Sequence, residues 1–448
     1  MYERLFRSVL YPAYESGLRR RKTFRWLREY EASQWLSPEQ IDVLQWRKLK
    51  TLLDYCYANV PYYRRQWIAE DIHPEDIRTR QDFARLPRLT KHDIRHNFEQ
   101  LQSPAFRKRM IYKATGGSTG DPLRFGYTRE SNERRNAVMW RGYAWAGATM
   151  GRRTAYLWGG AVGNPARAHL LKERLYHGLF NRHIINSFGM TEHNMAEFAD
   201  ALDRLRPEIV VAYVGPMARL ARWLLDNGRK PWRPQAILAA AEPLHDFQRD
   251  QIEQAFSAPM FNTYGCREFM LIASECERRH GLHVNADHLV VETVVDEKTM
   301  PGMDAGEVTI TDLHNFGMPF IRYVNGDMAT PMRESCRCGR GLPMLASIDG
   351  RRLDALRSPE GHILPGEFFP HMLKDVEGID QFQVVQRQID RLDISLVRGK
   401  GFDESALDYI RDETAKVVGA SLKLHFDFVE HIAPGRNGKF RVTRCELE

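Results

Sequence analysis

Apolar residues recur at spacings of three and four through the first hundred positions. Trp46, Leu49, Leu52, Leu53 and Cys56 form one such stripe, the period of a helix that buries one face. Val60-Pro61 ends it, because a proline ring drives the preceding residue out of helical geometry. Thr90-Lys91-His92-Asp93 predicts the cap of a further short helix. From residue 111 the rhythm changes. Ile111-Tyr112-Lys113-Ala114 reads as a strand, and a helix is expected from near Thr128 or Ser131. Up to about residue 260, apolar runs alternate with helical stripes. Strands are predicted at Ala155–Trp158, Ile209–Tyr213 and Ala236–Ala240. Helices are predicted from Thr191 to Leu205, from Val214 to Leu225 and from about Leu244 to Phe256. This alternation specifies βαβ units on a largely parallel sheet. From about residue 282 the runs become short and β-rich, as in His288–Val295 and Gly306–Thr311 around a Pro301-Gly302 turn. A boundary is expected near Asp349-Gly350-Arg351, with a separate α+β module after it.

Composition narrows the class. The chain has 448 residues, 43% hydrophobic and 27% charged, which suits a soluble protein of two or three domains and excludes a disordered or collagen-like chain. No uncharged apolar run reaches the length of a membrane span, and the N-terminus lacks a secretory pattern; a cytoplasmic location is expected. The net charge is +7, and residues 1–28 hold eight Arg or Lys against Glu3 and Glu15. The near-neutral remainder argues against nucleic acid as a partner. The favoured reading of Arg19-Arg20-Arg21-Lys22 is a solvated helix face. The sharper one is contact with an anionic membrane at the inner face, helped by Phe6, Leu10 and Tyr11.

Thr115-Gly116-Gly117-Ser118-Thr119-Gly120 lies between a strand and a helix. Glycines let N–H groups converge on phosphate oxygens and the hydroxyls add donors, although a surface turn has the same composition. No Gly-Lys-Ser/Thr follows, so it is not a Walker A loop.

Further motifs follow in order: Ala241-Glu242-Pro243, Tyr264-Gly265-Cys266-Arg267-Glu268, Arg322-Tyr323-Val324-Asn325-Gly326-Asp327, Gly350-Arg351 and Gly438-Lys439, with Leu86-Pro87-Arg88-Leu89-Thr90-Lys91 before the loop. Together they resemble the adenylate-forming superfamily. The nearest branch is the phenylacetate–CoA ligase-like one, which includes members associated with capsule polysaccharide synthesis. The resemblance spans about residue 50 to the C-terminus.

The resemblance implies an α/β fold: a large N-terminal domain with parallel βαβ sheets and a small β-rich subdomain, plus a small mobile C-terminal α+β domain. Residues 1–100 would be the helical N-terminal part, 101–349 the ATP- and acyl-binding domain with its β-rich part from about 282, and 350–448 the mobile domain. It implies that a carboxylate attacks the α-phosphorus of ATP and that an acceptor then displaces AMP. CoA is the expected acceptor, with an amine as the alternative. Thr115, Gly116, Gly117, Ser118, Thr119 and Gly120 would grip phosphates. Ala241, Glu242 and Pro243 would lie along the adenine with Tyr264 nearby, a residue that reads equally well as plain core. Glu268 would hold Mg²⁺, since a hard cation takes oxygen ligands. Asp327 would accept from the ribose hydroxyls, and Lys439 would reach the α-phosphate. Arg351 would open the hinge between domains. There Leu353 replaces the first of the family's two acids and Asp354 keeps the second. The lysine that many superfamily members carry after the glycine-rich loop is also absent after Pro122.

Tyr156, Trp158 and Tyr213, on expected strand ends, are candidates for an acyl pocket, with ordinary core as the alternative. Cys336 and Cys338, with Cys276 and His283, would make a closed Cys₃His set of the structural zinc type, and His280 competes as the fourth ligand. Some members of the same branch resemble this arrangement. A different class of function, a membrane-associated polysaccharide-assembly protein with a degenerate nucleotide site, is favoured by the basic N-terminus and opposed by Glu268, Asp327 and Lys439.

Overall fold

A computed structural model describes residues 2–115, 123–158, 175–187, 190–295, 304–351, 356–359, 363–364, 368–373, 376, 378–418, 421–433 and 441–447. Helices dominate the first hundred residues. Pro38–Asn59 starts in a capping box of Ser37 and Gln40 and buries Leu49, Leu52, Leu53 and Cys56. Val60 is extended, and Pro61 opens the next helix, Pro61–Ala69, where its missing N–H costs nothing. Lys91–His96 is capped by Thr90 and Asp93.

The hairpin β1 (Ile111–Ala114) and β2 (Arg124–Tyr127) is antiparallel. It leads into the helix Arg129–Trp145, which Thr128 caps. The central sheet is parallel: β3 (Thr154–Trp158), β4 (Arg182–Asn186), β5 (Ile209–Tyr213), β6 (Ala236–Ala240) and β7 (Met260–Phe261), in the order β4-β3-β5-β6-β7. One face carries Leu157, Val210, Ala212, Ile237 and Ala239 against the helices Met195–Leu205, Val214–Asp226 and Asp246–Phe256. The other carries Val211, Leu238 and Phe261 against Ala146 and Ala148. Burial on both faces explains why these strands read as unbroken apolar runs.

Seven antiparallel strands follow: β8 (Thr263–Tyr264), β9 (Ala273–Glu275), β10 (Leu282–Val284), β11 (Leu289–Val294), β12 (Gly306–Asp312), β13 (Tyr323–Met332) and β14 (Met344–Arg351), in the order β11-β12-β13-β14-β10-β9-β8. This sheet opens at Thr263, earlier than residue 282. Strands of two or three residues are too short to show a period of two in sequence. Beyond β15 (Leu356–Arg357) and β16 (Ile363–Leu364), the C-terminal part has its own core of Phe369, Val384, Leu392, Ile394 and Ile410. Its sheet comprises β17 (Ile379–Gln388), β18 (Arg391–Arg398), β19 (Lys423–Phe428) and β20 (Thr443–Cys445), with Ser405–Val418 as its long helix. Arg222 ties it to the parallel-sheet region by pairing with Asp380 and donating to that residue's main-chain oxygen.

The N-terminal run corrects one expectation. Phe6 and Tyr11 do not face outward; they are buried in a cluster with Trp140, Met150 and Phe180, and Leu10 is half-buried against it. Aromatic side chains bury too much apolar surface to stay exposed beside a receptive body.

Candidate active site and metal centre

Thr115 closes the mouth of the β1–β2 hairpin. Its N–H donates to the Leu123 oxygen, and its Oγ1 accepts from the Leu123 N–H, both at 2.9 Å. The segment between them, with Gly116, Gly117, Ser118, Thr119 and Gly120, lies outside the described residues. Lys439, Leu353 and Asp354 also lie outside them.

Ala241 follows β6 with φ at +65°, a left-handed conformation that a non-glycine residue holds only when its surroundings impose it. Glu242 turns to the start of the helix Val214–Asp226, where its Oε2 accepts from the Gly215 N–H at 2.7 Å. A carboxylate is favourable at a helix N-terminus, so this side chain clamps the start of the helix.

After Tyr264 the chain turns back so sharply that a Cβ on Gly265 would sit 1.9 Å from the Met270 oxygen. Only glycine fits there. Buried Arg135 supports the turn from below by donating to the Arg267 oxygen at 2.7 Å. The turn delivers Glu268, which is buried and accepts from the Tyr323 hydroxyl at 3.0 Å. Two residues along β13, Asn325 donates through Nδ2 to the Tyr264 hydroxyl at 2.8 Å and to Asp327 Oδ2 at 2.7 Å. Tyr264 donates to that same carboxylate oxygen at 2.9 Å, and the Asp327 N–H donates to Asn325 Oδ1 at 3.0 Å. The Tyr323–Glu268 pair and the Tyr264–Asn325–Asp327 group are two hydrogen-bonded sets two residues apart on β13. Arg351 joins by register, as the partner of Asp327 in the β13–β14 ladder. Leu89 pins the start of β13 on the edge opposite β12. It donates to the Arg322 oxygen at 3.0 Å and accepts from the Val324 N–H at 2.9 Å.

The electrostatics keep these donors neutral. Burial pushes the phenols of Tyr264 and Tyr323 well above their ordinary value, and the neighbouring Asp327 and Glu268 carboxylates push the same way. Burial likewise raises the Cys266 thiol, helped by Glu268 and Asp327. Each phenol thus stays a hydrogen-bond donor to a carboxylate at neutral pH.

Tyr323 and Asn325 escaped the sequence reading as functional residues, although both stand inside a motif it singled out. Arg135 escaped it altogether, lying on a helix with no local sign of its partner.

The three aromatic candidates divide. Trp158 and Tyr213 pack against each other with ring centroids 4.4 Å apart, at the carboxyl ends of β3 and β5, where parallel sheets receive ligands. Tyr156 lies deeper, with Arg182 over its ring and Tyr143 in its cluster.

Cys276, His283, Cys336 and Cys338 place one ligand atom each within 4.8 Å of one another. The Cys276 and Cys336 sulfurs are 3.7 Å apart, and Cys338 Sγ is 3.4 Å from His283 Nε2. Zn–S and Zn–N bonds of ordinary length give tetrahedral edges of about 3.8 and about 3.5 Å, so the donor set fits zinc. A disulfide it is not, since the sulfurs lie far beyond bonding distance. Burial pushes His283 down to about 4, which keeps the imidazole neutral as a ligand must be. His280 is exposed beside Glu334 and stands outside the group.

The comparisons agree with this geometry. Residues 356–446 match the CapK C-terminal domain family. A phenylacetate–coenzyme A ligase of Thermus thermophilus is 29% identical over 410 residues, covering 87% of this chain and 88% of that protein. Along most of its length the chain is thus similar to proteins of the phenylacetate–CoA ligase-like branch. Protein CapK of Staphylococcus aureus is 26% identical over 416 residues, covering 90% and 89%. Among solved structures, a 2-hydroxyisobutyryl-CoA ligase in the postadenylation state has the same fold. Its TM-score is 0.72 at 18% identity, covering 93% of this chain and 91% of that one. Among the described residues, no helix is long and apolar enough to cross a membrane.

Proposed function

We propose that the chain is an ATP-dependent carboxylate-activating ligase that forms an acyl adenylate and transfers the acyl group to CoA. The observation that carries this reading is the adjacency on β13 of two hydrogen-bonded carboxylate sets, Glu268 with Tyr323 and Asp327 with Tyr264 and Asn325, with Arg351 opposite Asp327 in the ladder. In the first step a carboxylate oxygen bonds to the α-phosphorus and the bond to pyrophosphate breaks. In the second a thiolate bonds to the acyl carbon and AMP leaves with the electron pair. Asp327, one oxygen already held by Tyr264 and Asn325, accepts from the ribose hydroxyls. Glu268, oriented by Tyr323, would hold Mg²⁺, which would supply charge to offset that growing on the phosphate. The backbone after β6 flanks the adenine. Lys439 and the loop from Thr115 to Gly120 supply the cations and donors for the phosphates. Trp158 and Tyr213 wall the acyl site.

The Cys₃His set holds a structural zinc, because four protein ligands leave no position open for chemistry. A thiolate-rich site of this kind suits a reducing compartment, in keeping with a cytoplasmic location. A second reading replaces CoA by an amine in polysaccharide synthesis. It is favoured by the match of residues 356–446 to the CapK C-terminal domain.

Carboxylate-dependent exchange of labelled pyrophosphate into ATP tests the first step. Exchange with at least one member of a broad acid panel is expected, and exchange with none would overturn the ligase reading. Lys439→Ala should abolish exchange while leaving the fold intact. Adding CoA or an amine to the preformed adenylate then separates the two acceptors. Elemental analysis should find about one zinc per chain on the four-ligand count, and chelation should lower thermal stability.

A further inference from the structure

We infer that the helical run from Tyr2 to Leu18, together with the basic stretch after it, is a docking face for the surface of an anionic lipid bilayer. The inference does not depend on the ligase chemistry. Tyr2–Leu5 continues into two wide, π-type segments, Phe6–Leu10 and Ala13–Leu18. Within them the N–H groups reach back five residues, Tyr11 to the Phe6 oxygen and Arg19 to the Tyr14 oxygen. That widened turn sorts the side chains into two adjacent stripes. Phe6, Tyr11 and Glu15 point into the body. Leu5, Val9, Ala13 and Leu18, spaced by four, four and five, point out. Leu5 is 48% exposed, Val9 53% and Leu18 76%. Single exposed apolar residues need no explanation, but a file of them along one helix does.

The charges around the file are one-sided. The two acids of the stretch are taken up internally. Glu3 accepts from Thr149 at 2.6 Å and pairs with Arg7 and Arg152. Buried Glu15 accepts from Arg21 at 3.1 Å and from Thr23 at 3.2 Å. Arg4, Arg20, Lys22, Arg25 and Arg28 remain exposed. Arg129 fixes the start of this basic stretch by donating to the main-chain oxygens of Arg19 and Arg20. Apolar side chains flanked by long cations describe a helix that lies in a headgroup layer, its acyl-facing residues sinking while the guanidinium groups meet phosphates. A bilayer answers both halves of this surface at once. The inward packing of Phe6 and Tyr11 holds the helix parallel to the body, which presents the file without unfolding anything.

Flotation of the full chain with phosphatidylcholine vesicles, with and without phosphatidylglycerol, tests this. Binding is expected only with phosphatidylglycerol and should fall as salt rises. Replacing Arg20 and Lys22 together by Gln should weaken partitioning by about thirtyfold. Leu5→Ser/Val9→Ser/Leu18→Ser should remove flotation while leaving the melting temperature and any pyrophosphate exchange at parental levels. Equal flotation on both vesicle types, or flotation of the triple variant like the parent, would overturn the proposal. So would lipid-independent self-association by sedimentation velocity that the triple variant abolishes, because the face would then seat a second copy.

Discussion

Two buried polar clusters in this molecule use similar groups to opposite ends. In one, Arg141 pairs with Asp287 at 2.5 Å, both side chains almost fully buried. Ser33 donates to Asp287, and Arg141 also donates to Asn285, each at 2.5 Å. Beside them Tyr30 bonds His288 Nδ1 at 2.8 Å, and His314 stacks on His288 while contacting Lys48 at 3.3 Å. Here a full cation answers a full anion, and the cluster locks the N-terminal helices to the antiparallel sheet. In the other, Glu268 and Asp327 receive neutral phenols and an amide. Neutral donors orient a carboxylate without cancelling its charge, so its attraction for a cation or a polyol survives. The first cluster holds the fold; the second leaves its carboxylates charged, as the proposed function requires.

The largest effect should come from unbalancing the first cluster. Asp287→Ala leaves Arg141 buried without its partner and should cost about 3–5 kcal/mol of stability in urea unfolding. A loss within the range of ordinary surface substitutions would erase the contrast. Glu268→Gln should do the reverse, lowering pyrophosphate exchange on the order of 10²- to 10³-fold with a melting temperature close to parental. The histidines sharpen the comparison through pH. Burial, reinforced by Arg134, Lys48 and Arg141, holds His288 well below its ordinary value; burial with Lys48 and His288 does the same to His314. The unfolded chain therefore binds more protons below about pH 6.5. Stability from these residues is complete above that value and declines below it, by up to about 1.4 kcal/mol per pH unit for each histidine. Urea titrations across this window should show the decline, and His314→Gln should flatten it. The smallest effect is expected at Asn325. Asn325→Leu should raise the KM for ATP by about tenfold with a lesser change in kcat. It should also narrow the preference for ATP over 2′-deoxy-ATP. A uniform loss on both nucleotides would mean that Asn325 only supports the fold.

The strands Ile209–Tyr213 and Ala236–Ala240 were legible to the residue because burial on both faces writes a continuous apolar run. The start of the antiparallel sheet was not, because β8 and β9 are shorter than the pattern that reveals strands. Cys276, Cys336 and Cys338 announced themselves by residue type. The choice between His280 and His283 needed the β10 ladder, which sets His283 opposite Ser274 and Met344. Tyr323, Asn325 and Arg141 act on residues brought near only by folding, and nothing local marks them. Phe6 and Tyr11, expected to help a lipid contact, are buried instead, because the π-type turns place Leu5, Val9, Ala13 and Leu18 outward.

The pairing of Asp327 with Arg351 has a mechanical side. The last residue of β14, Arg351, stands opposite Asp327 in the ladder, beside a register shift between Asp327 and Ala329. With Asp327 as the proposed ribose acceptor, a pull on the chain beyond Arg351 would reach the nucleotide through a single step of that ladder.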